Sequence, residues 1–484
     1  MQANPHHDRR WAILVLLGIA QLMVVLDATI VNIALPSAQE ALHFSDGSRQ
    51  WVVTAYALAF GSLLLFGGRI GDLFGRKLTF VVGLIGFAVA SALGGAAESF
   101  GVLVAARALQ GAFGALLAPS ALSLLTTTFT SPDERGKAFG IYGAIAAGGG
   151  ALGLLLGGVL TEYLSWRWSL YVNLAFAIPA AIGAVPLLHN QAHAASPRID
   201  LPGTLTASGG LFALVYGFSN AESHGWGAAT TIAFLAAGVA LLAGFVAIQR
   251  RAEHPLLPLR VVLDRNRGGS YLAVGVVGAG MFGVFLFLTY YLQQTLGFSP
   301  IKTGLAFLPM MGAVMVTATT ATTRLLPRTG PRPLMVIGML LAGGGMLLFT
   351  QLGVDSTYAA HVLPGLLVAG AGLGLVMAPA MSTATLGVDA ADAGVASATV
   401  NTMQQVGGSM GTALLSTFAS SAAASYIAGK APSASLAAHA AVHGYTTAFW
   451  WSAAIFAVGA IVCGLLLRGG APRLEPTAEP VLVH

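Results

Sequence analysis

Long apolar runs, separated by short polar breaks, set the plan of this chain. A helix needs about 20 apolar residues to cross ~30 Å of hydrocarbon. Runs of that kind fall at 11–35, 50–68, 78–97, 101–126, 138–161, 168–188, 203–219, 228–248, 269–292, 303–323, 334–352, 360–386, 395–422 and 446–467, which makes fourteen. The pattern predicts an all-α membrane protein with fourteen transmembrane helices. An even number puts both termini on one side. With that side inside, 18 of the 23 Lys and Arg residues lie in inner segments, and a helix missed or added midway would destroy the alternation. The expected location is the cell membrane, inner or plasma, with both termini cytoplasmic.

Two joints divide the runs. His189–Pro202 contains Pro197 and Pro202, and Gln249–Gly268 is basic and contains prolines. The expected division is an N-terminal six-helix bundle over 1–190, two inserted helices with linkers over 191–262, a C-terminal six-helix bundle over 263–470 and a cytoplasmic tail over 471–484. An internal repeat agrees with it. Gly149, Gly150 and Gly153 have counterparts at Gly407, Gly408 and Gly411, and the same offset carries Gly136 to Gly394. The repeat therefore relates the two six-helix halves to each other.

Composition agrees with the apolar pattern. The chain is 56% hydrophobic and 8% charged, where a soluble chain would carry about a quarter charged residues. The 62 glycines suit close helix approach in lipid. One cysteine, Cys463, rules out a disulfide or a cysteine metal cluster within one chain. The net charge of +5 is a topology signal and does not point to nucleic acid. The first run is too long for a signal-peptide core. No cofactor is expected, and the chain is expected to be a monomer among membrane lipids.

The densest polar stretch is Gly68 to Lys77, G-R-I-G-D-L-F-G-R-K, between the second and third runs. Charge alone makes it a basic inner loop that fixes topology. The spacing G-x-x-x-D-x-x-G-R-K resembles the signature loop of the major facilitator superfamily. That resemblance implies a cytoplasmic gate formed by Gly68, Asp72, Gly75, Arg76 and Lys77.

Asp27 lies inside the first run, in V-V-L-D-A-T-I-V-N-I-A-L-P. A carboxylate at membrane depth is costly, so it faces a cavity, holds a cationic partner or exchanges a proton. Arg107, in R-A-L-Q-G of the fourth run, is the natural partner. At 1.5 Å per residue Asp27 lies about 12 Å, and Arg107 about 9 Å, below the outer ends of their helices. Gln110 is one turn from Arg107. The L-D-x-T-x-V-N-x-A-L-P run is similar to the first-helix signature of the fourteen-helix drug:proton antiporters, in which the Asp is a protonation site. A static brace between two helices explains the same pair, and proximity does not separate the two readings.

Helix 5 carries G-x-x-x-G-L-L-L-G-G, including Gly149, Gly153, Gly157 and Gly158. It resembles the exporters' antiporter motif, with Leu154 where that motif has Pro. The glycines read equally as a packing face. Helix 9 ends T-Y-Y-L-Q-Q-T-L-G-F-S-P, also similar to the antiporters. Candidates for a substrate cavity are Gln110, Tyr56, Phe282, Tyr290, Gln294, Asn401 and Gln404. Core packing, or hydrogen bonding between helices, accounts for these residue types as well.

The reading that follows is proton-coupled efflux, an antiport, of small lipophilic or monocationic molecules by alternating access, with the proton gradient as energy source. A dedicated exporter of one endogenous metabolite or antibiotic, and a proton symporter, remain alternatives. Against an enzyme stands the lack of a metal-spaced His/Cys cluster, a nucleophile elbow or a phosphate loop.

Overall fold

The computed structural model describes residues 9–470 other than 46, 130–131, 189–199, 254, 387 and 389–392, and all but a few side chains within helices; those of Asp72 and Phe282 are among the exceptions. The tail after 470 and most of the first linker therefore lie outside the described residues. Among the described residues there are fourteen helices of 19 residues or more: α1 (Arg10–Leu42), α2 (Gln50–Phe74), α3 (Arg76–Gly95), α4 (Phe100–Thr128), α5 (Pro132–Tyr163), α6 (Trp168–Leu187), α7 (Leu201–His224), α8 (Ala229–Gln249), α9 (Arg265–Tyr290), α10 (Pro300–Thr320), α11 (Pro331–Phe349), α12 (Leu363–Thr385), α13 (Ala393–Ile427) and α14 (Ala434–Leu466). Every apolar run holds one helix, in order. Eleven of these are long and apolar enough to cross a bilayer along their described length; α2, α5 and α13 are the other three.

Local chemistry sets many of the ends. Ser99, Asp264, Ser299 and Ser433 accept backbone N–H bonds at the starts of α4, α9, α10 and α14. Gly75, at φ +93°, breaks α2 from α3, and Gly330, at φ +77°, breaks the extension of α10 from α11. That region of φ suits glycine, which has no Cβ to clash. The Ala-rich stretch 423–445, between the last two apolar runs, is mostly helical. α13 runs 35 residues and α14 runs 33, ~50 Å each. Alanine is the best helix former, so the hairpin continues past the apolar run.

Helices α1–α6 form one bundle and α9–α14 another, with the same internal packing. Gly149 and Gly153 of α5 press against Val25 and Leu26 of α1. Gly407 and Gly411 of α13 press against Gly275 and Ala279 of α9. The glycine repeat seen in the sequence thus marks equivalent helix pairs. The far ends of α1 and α9 meet at Gln39 and Tyr290, so their starts share the other face, the termini face, and the end of α14 joins it there: Arg265 donates to the carbonyl of Leu465, and the N–H of Arg468 to Asn266. The opposite face is called distal here.

The halves meet along two seams, α2 against α13 and α5 against α10. At the distal end one apolar core crosses from Ile30, Leu35 and Val53 to Phe285 and Phe307, whereas Leu14, Leu17, Phe80 and Leu124 form a separate core toward the termini face of the first half. The α5–α10 seam is tight at Leu154 and Gly304 and at Gly158 and Ile301. Toward the termini face, at Gly148, Gly150 and Gly312, an added side chain would meet nothing within 4 Å.

The inserted pair sits over the other seam. Ser208 of α7 donates to the carbonyl of Ser62 on α2 at 2.8 Å, and Thr417 of α13 donates to the carbonyl of Phe218 on α7 at 3.3 Å. α7 therefore bridges both halves and covers the α2–α13 seam.

Candidate functional site

Five helices of the first half converge on Asp27, which is fully buried. Its Oδ2 accepts from Arg107 Nη1 at 2.6 Å. Its Oδ1 accepts from Gln110 Nε2 at 3.0 Å and from Asn173 Nδ2 of α6 at 2.7 Å. Arg107 is held on further sides. Its Nε donates to the Val52 carbonyl at 3.1 Å, its Nη1 donates to Gln110 Oε1 at 2.9 Å, and its guanidinium lies 4.4 Å over the ring of Tyr56. Ser91 of α3 accepts from Gln110 at 2.7 Å. The carboxylate is thus held by three side-chain donors in a buried site. Burial of this kind makes each ion costly alone and tolerable only together. Two polar atoms in the cluster, Tyr56 Oη and Asn173 Oδ1, are buried without a hydrogen-bond partner.

Helical geometry explains the convergence. Arg107 and Gln110 are three residues apart on α4 and share a face. Small residues let the backbones close around them: a side chain on Gly111 of α4 would run into the Tyr56 carbonyl of α2. The sequence paired Asp27 with Arg107 and Gln110, and the structure brings these three together. It adds Asn173 and Ser91, which sequence reading missed. The available signal was a polar side chain inside an apolar run, V-N-L at Asn173 and A-S-A at Ser91. Tyr56, a candidate for the substrate cavity, lies under Arg107.

The signature loop bends at Gly75. Gly68 lies against Pro119 of α4, 3.6 Å from where a Cβ would stand. Arg76 opens α3 half-buried. Lys77 Nζ donates to the Val185 carbonyl at the end of α6 at 2.7 Å, which ties it to its own half. The Asp72 side chain lies outside the described residues. In α5, Gly149, Gly153 and Gly157 bring α1 close, Gly158 brings α10 close, and Leu154 fills the position against Gly304.

Contacts between the halves at the distal face are polar as well as apolar. Tyr290 Oη donates to Gln39 Oε1 at 2.6 Å, and Gln293 Nε2 donates to the Ile33 carbonyl at 3.0 Å. Arg49, buried in the α1–α2 connection, lies 4.0 Å over the Tyr290 ring and 5.6 Å from that of Tyr445. Together these form a clasp. Gln294 is exposed beside it, 3.5 Å from the Tyr445 hydroxyl. Asn401 and Gln404 are half-buried on α13, where the Gln404 carbonyl abuts Gly278. The Phe282 side chain is outside the described residues. Tyr290→Phe keeps the ring under Arg49 and removes the bond to Gln39, worth about 0.5–1.5 kcal/mol. The expected result is a roughly two- to tenfold shift toward a distal-open form, read from the distance between spin labels at His43 and Gly297. An unchanged distance distribution would take Tyr290 out of the clasp.

Among the described residues no group of three or more His, Cys, Asp or Glu is placed to hold a metal. The sequence profile of the Major Facilitator Superfamily matches residues 17–412. The chain is a member of the major facilitator superfamily. This transporter is 51% identical over 473 residues to "Puromycin resistance protein pur8" of Streptomyces alboniger, covering 97% of this chain and 94% of that one. It is 40% identical over 407 residues to "Cephamycin export protein CmcT" of Amycolatopsis lactamdurans, covering 84% of each. Among solved structures, a bacterial homologue of the human lysosomal transporter Spinster, described as inward-facing and unoccupied, matches with a TM-score of 0.65 at 15% identity, covering 96% of this chain and 97% of that one. The first two of these relatives are named for antibiotic resistance and export. It is a multi-pass membrane protein.

Proposed function

We propose that this transporter exports lipophilic antibiotics from the cell in exchange for protons, and that Asp27 is the group that carries the proton. The observation behind this is the buried Asp27–Arg107 pair with its amide donors, the buried acid at membrane depth whose charge a proton would cancel. The relatives named for resistance and export support the direction of transport. In this reading the termini face is cytoplasmic and the clasped distal face is outside. The signature loop, with Asp72, Gly75, Arg76 and Lys77, closes the cytoplasmic side in the other half of the cycle. The chain divides as six, two and six helices and works without a cofactor.

The cycle follows from charge. With the distal face open, a proton arriving at Asp27 removes the charge that holds Arg107 and lets the halves reclose. With the termini face open, the proton leaves, the pair reforms and substrate enters. Neutral or monocationic lipophilic substrates suit a site with one buried acid.

The test is transport of puromycin by purified protein in liposomes under an imposed pH jump. Uptake into vesicles with an acidic lumen, faster than the passive trapping of this amine in protein-free liposomes and lost when an ionophore collapses the gradient, is the expected result. Accumulation unaffected by the ionophore would exclude proton coupling, and accumulation only with the gradient reversed would indicate symport.

A further inference from the structure

One face of α13 carries Thr402, Gln405, Ser409, Thr412 and Ser416, spaced three, four, three and four residues apart. That spacing lines a single side of a helix. Each of the five buries a side-chain oxygen that has no hydrogen-bond partner. Hydroxyls in helices commonly donate to the carbonyl one turn back. On this same helix Thr399 and Thr417 do so, to Val395 at 2.8 Å and to Ala413 at 2.9 Å. Ser409, Thr412 and Ser416 do not, although none is more than 3% exposed. A buried hydroxyl without a partner in the protein is a cost that this arrangement of the helices bears.

Packing shows where the stripe points. A side chain on Gly61 of α2 would meet the Gln405 Cβ, whereas Gly407 and Gly411 turn the neighbouring face of α13 toward α9. The stripe therefore faces α2, across the seam between the halves. Seven residues distal of Gly61 is Thr54, and seven residues distal of Gln405 is Thr412, about 10 Å along each helix. Thr54 is fully buried too, and its Oγ1 also lacks a partner. The bilayer does not account for these groups, because α7 covers the seam from that side.

We propose that this stripe is the distal half of the substrate path, where the hydrogen-bonding groups of a departing molecule are received as the distal ends of α2 and α13 part. It suits neutral hydroxyl, amide or amine groups on a lipophilic body, since none of its members is charged. The proposal rests on the alternating-access export reading above and adds to it the route and the chemistry of release. It also assigns a role to α7, which keeps lipid off a polar track.

The test uses single cysteines at Thr412 and Ser416 in a Cys463→Ser background, with Leu154→Cys as a reporter of opening at the other seam. Intact cells exporting puromycin are treated with a membrane-impermeant maleimide, with or without an uncoupler. All three positions are expected to label at least about fivefold faster in energised cells. If Leu154→Cys responds while Thr412→Cys and Ser416→Cys stay unlabelled, the stripe is static packing and the proposal fails while alternating access stands. If none responds, the export cycle itself is wrong and the proposal falls with it. Thr412→Val and Ser416→Ala supply the second readout. Each is expected to raise the KM for puromycin, which bears hydroxyl and amine groups, roughly three- to tenfold. Neither should change the KM for tetraphenylphosphonium, which bears none. Equal effects on both probes would overturn the chemical assignment.

Discussion

Asp27→Asn is expected to cut proton-driven efflux by about a hundredfold or more, equivalent to ~2.7 kcal/mol of lost coupling, while substrate still equilibrates down its own gradient. Asn keeps an oxygen for Gln110 and Asn173, which donate to Oδ1 at 3.0 and 2.7 Å in the wild type. It cannot carry the charge that faces Arg107. The variant therefore imitates one protonation state permanently and removes the switch. Arg107 retains the Val52 carbonyl, Gln110 Oε1 and the Tyr56 ring, so the bundle still has acceptors for it. Asp27→Glu, which keeps a carboxyl group, should recover part of the coupling. A static brace predicts otherwise: Asp27→Asn would lower stability and leave the dependence on the gradient intact. Undiminished proton-driven efflux in that variant would remove Asp27 from the cycle.

Arg107→Ala is expected to destabilise the protein by about 3–5 kcal/mol, because it strands a buried carboxylate. Asp27 would keep only two amide donors, and the space under the guanidinium would lose its contact with Tyr56. The unfolding midpoint in detergent should fall steeply, and expression should fall with it. The double variant Asp27→Leu/Arg107→Met removes both charges and fills the volume with apolar atoms. It should regain most of the stability and none of the coupled transport. A single variant that melts with the wild type would mean that Arg107 is not what balances Asp27.

The gap between the sequence reading and the structure follows the azimuth of the helices. Depth was legible: counting residues from the helix ends put Asp27 and Arg107 at similar levels, and they are bonded. Direction was not. Tyr56, a candidate for the substrate cavity, lies under Arg107. Tyr290 was a candidate for the same cavity and is buried in the clasp with Gln39. Asn173 and Ser91 went unremarked, since a lone amide or hydroxyl in an apolar run looks the same whether it faces a neighbour or the backbone one turn away.

Residue order and composition by themselves determined the order and spacing of the long helices, the glycine repeat relating the two halves, and the polar groups that must find partners in lipid. These follow from local quantities, apolar length and backbone freedom, that need no knowledge of neighbours. Only the tertiary structure decided which polar groups meet, which seam is closed, and that α7 lies across α2 and α13. A helix that is apolar on all sides carries no stripe to say which face turns inward. That choice is made by the close fit of glycine backbones and the pairing of buried charges, neither of which exists until the helices assemble.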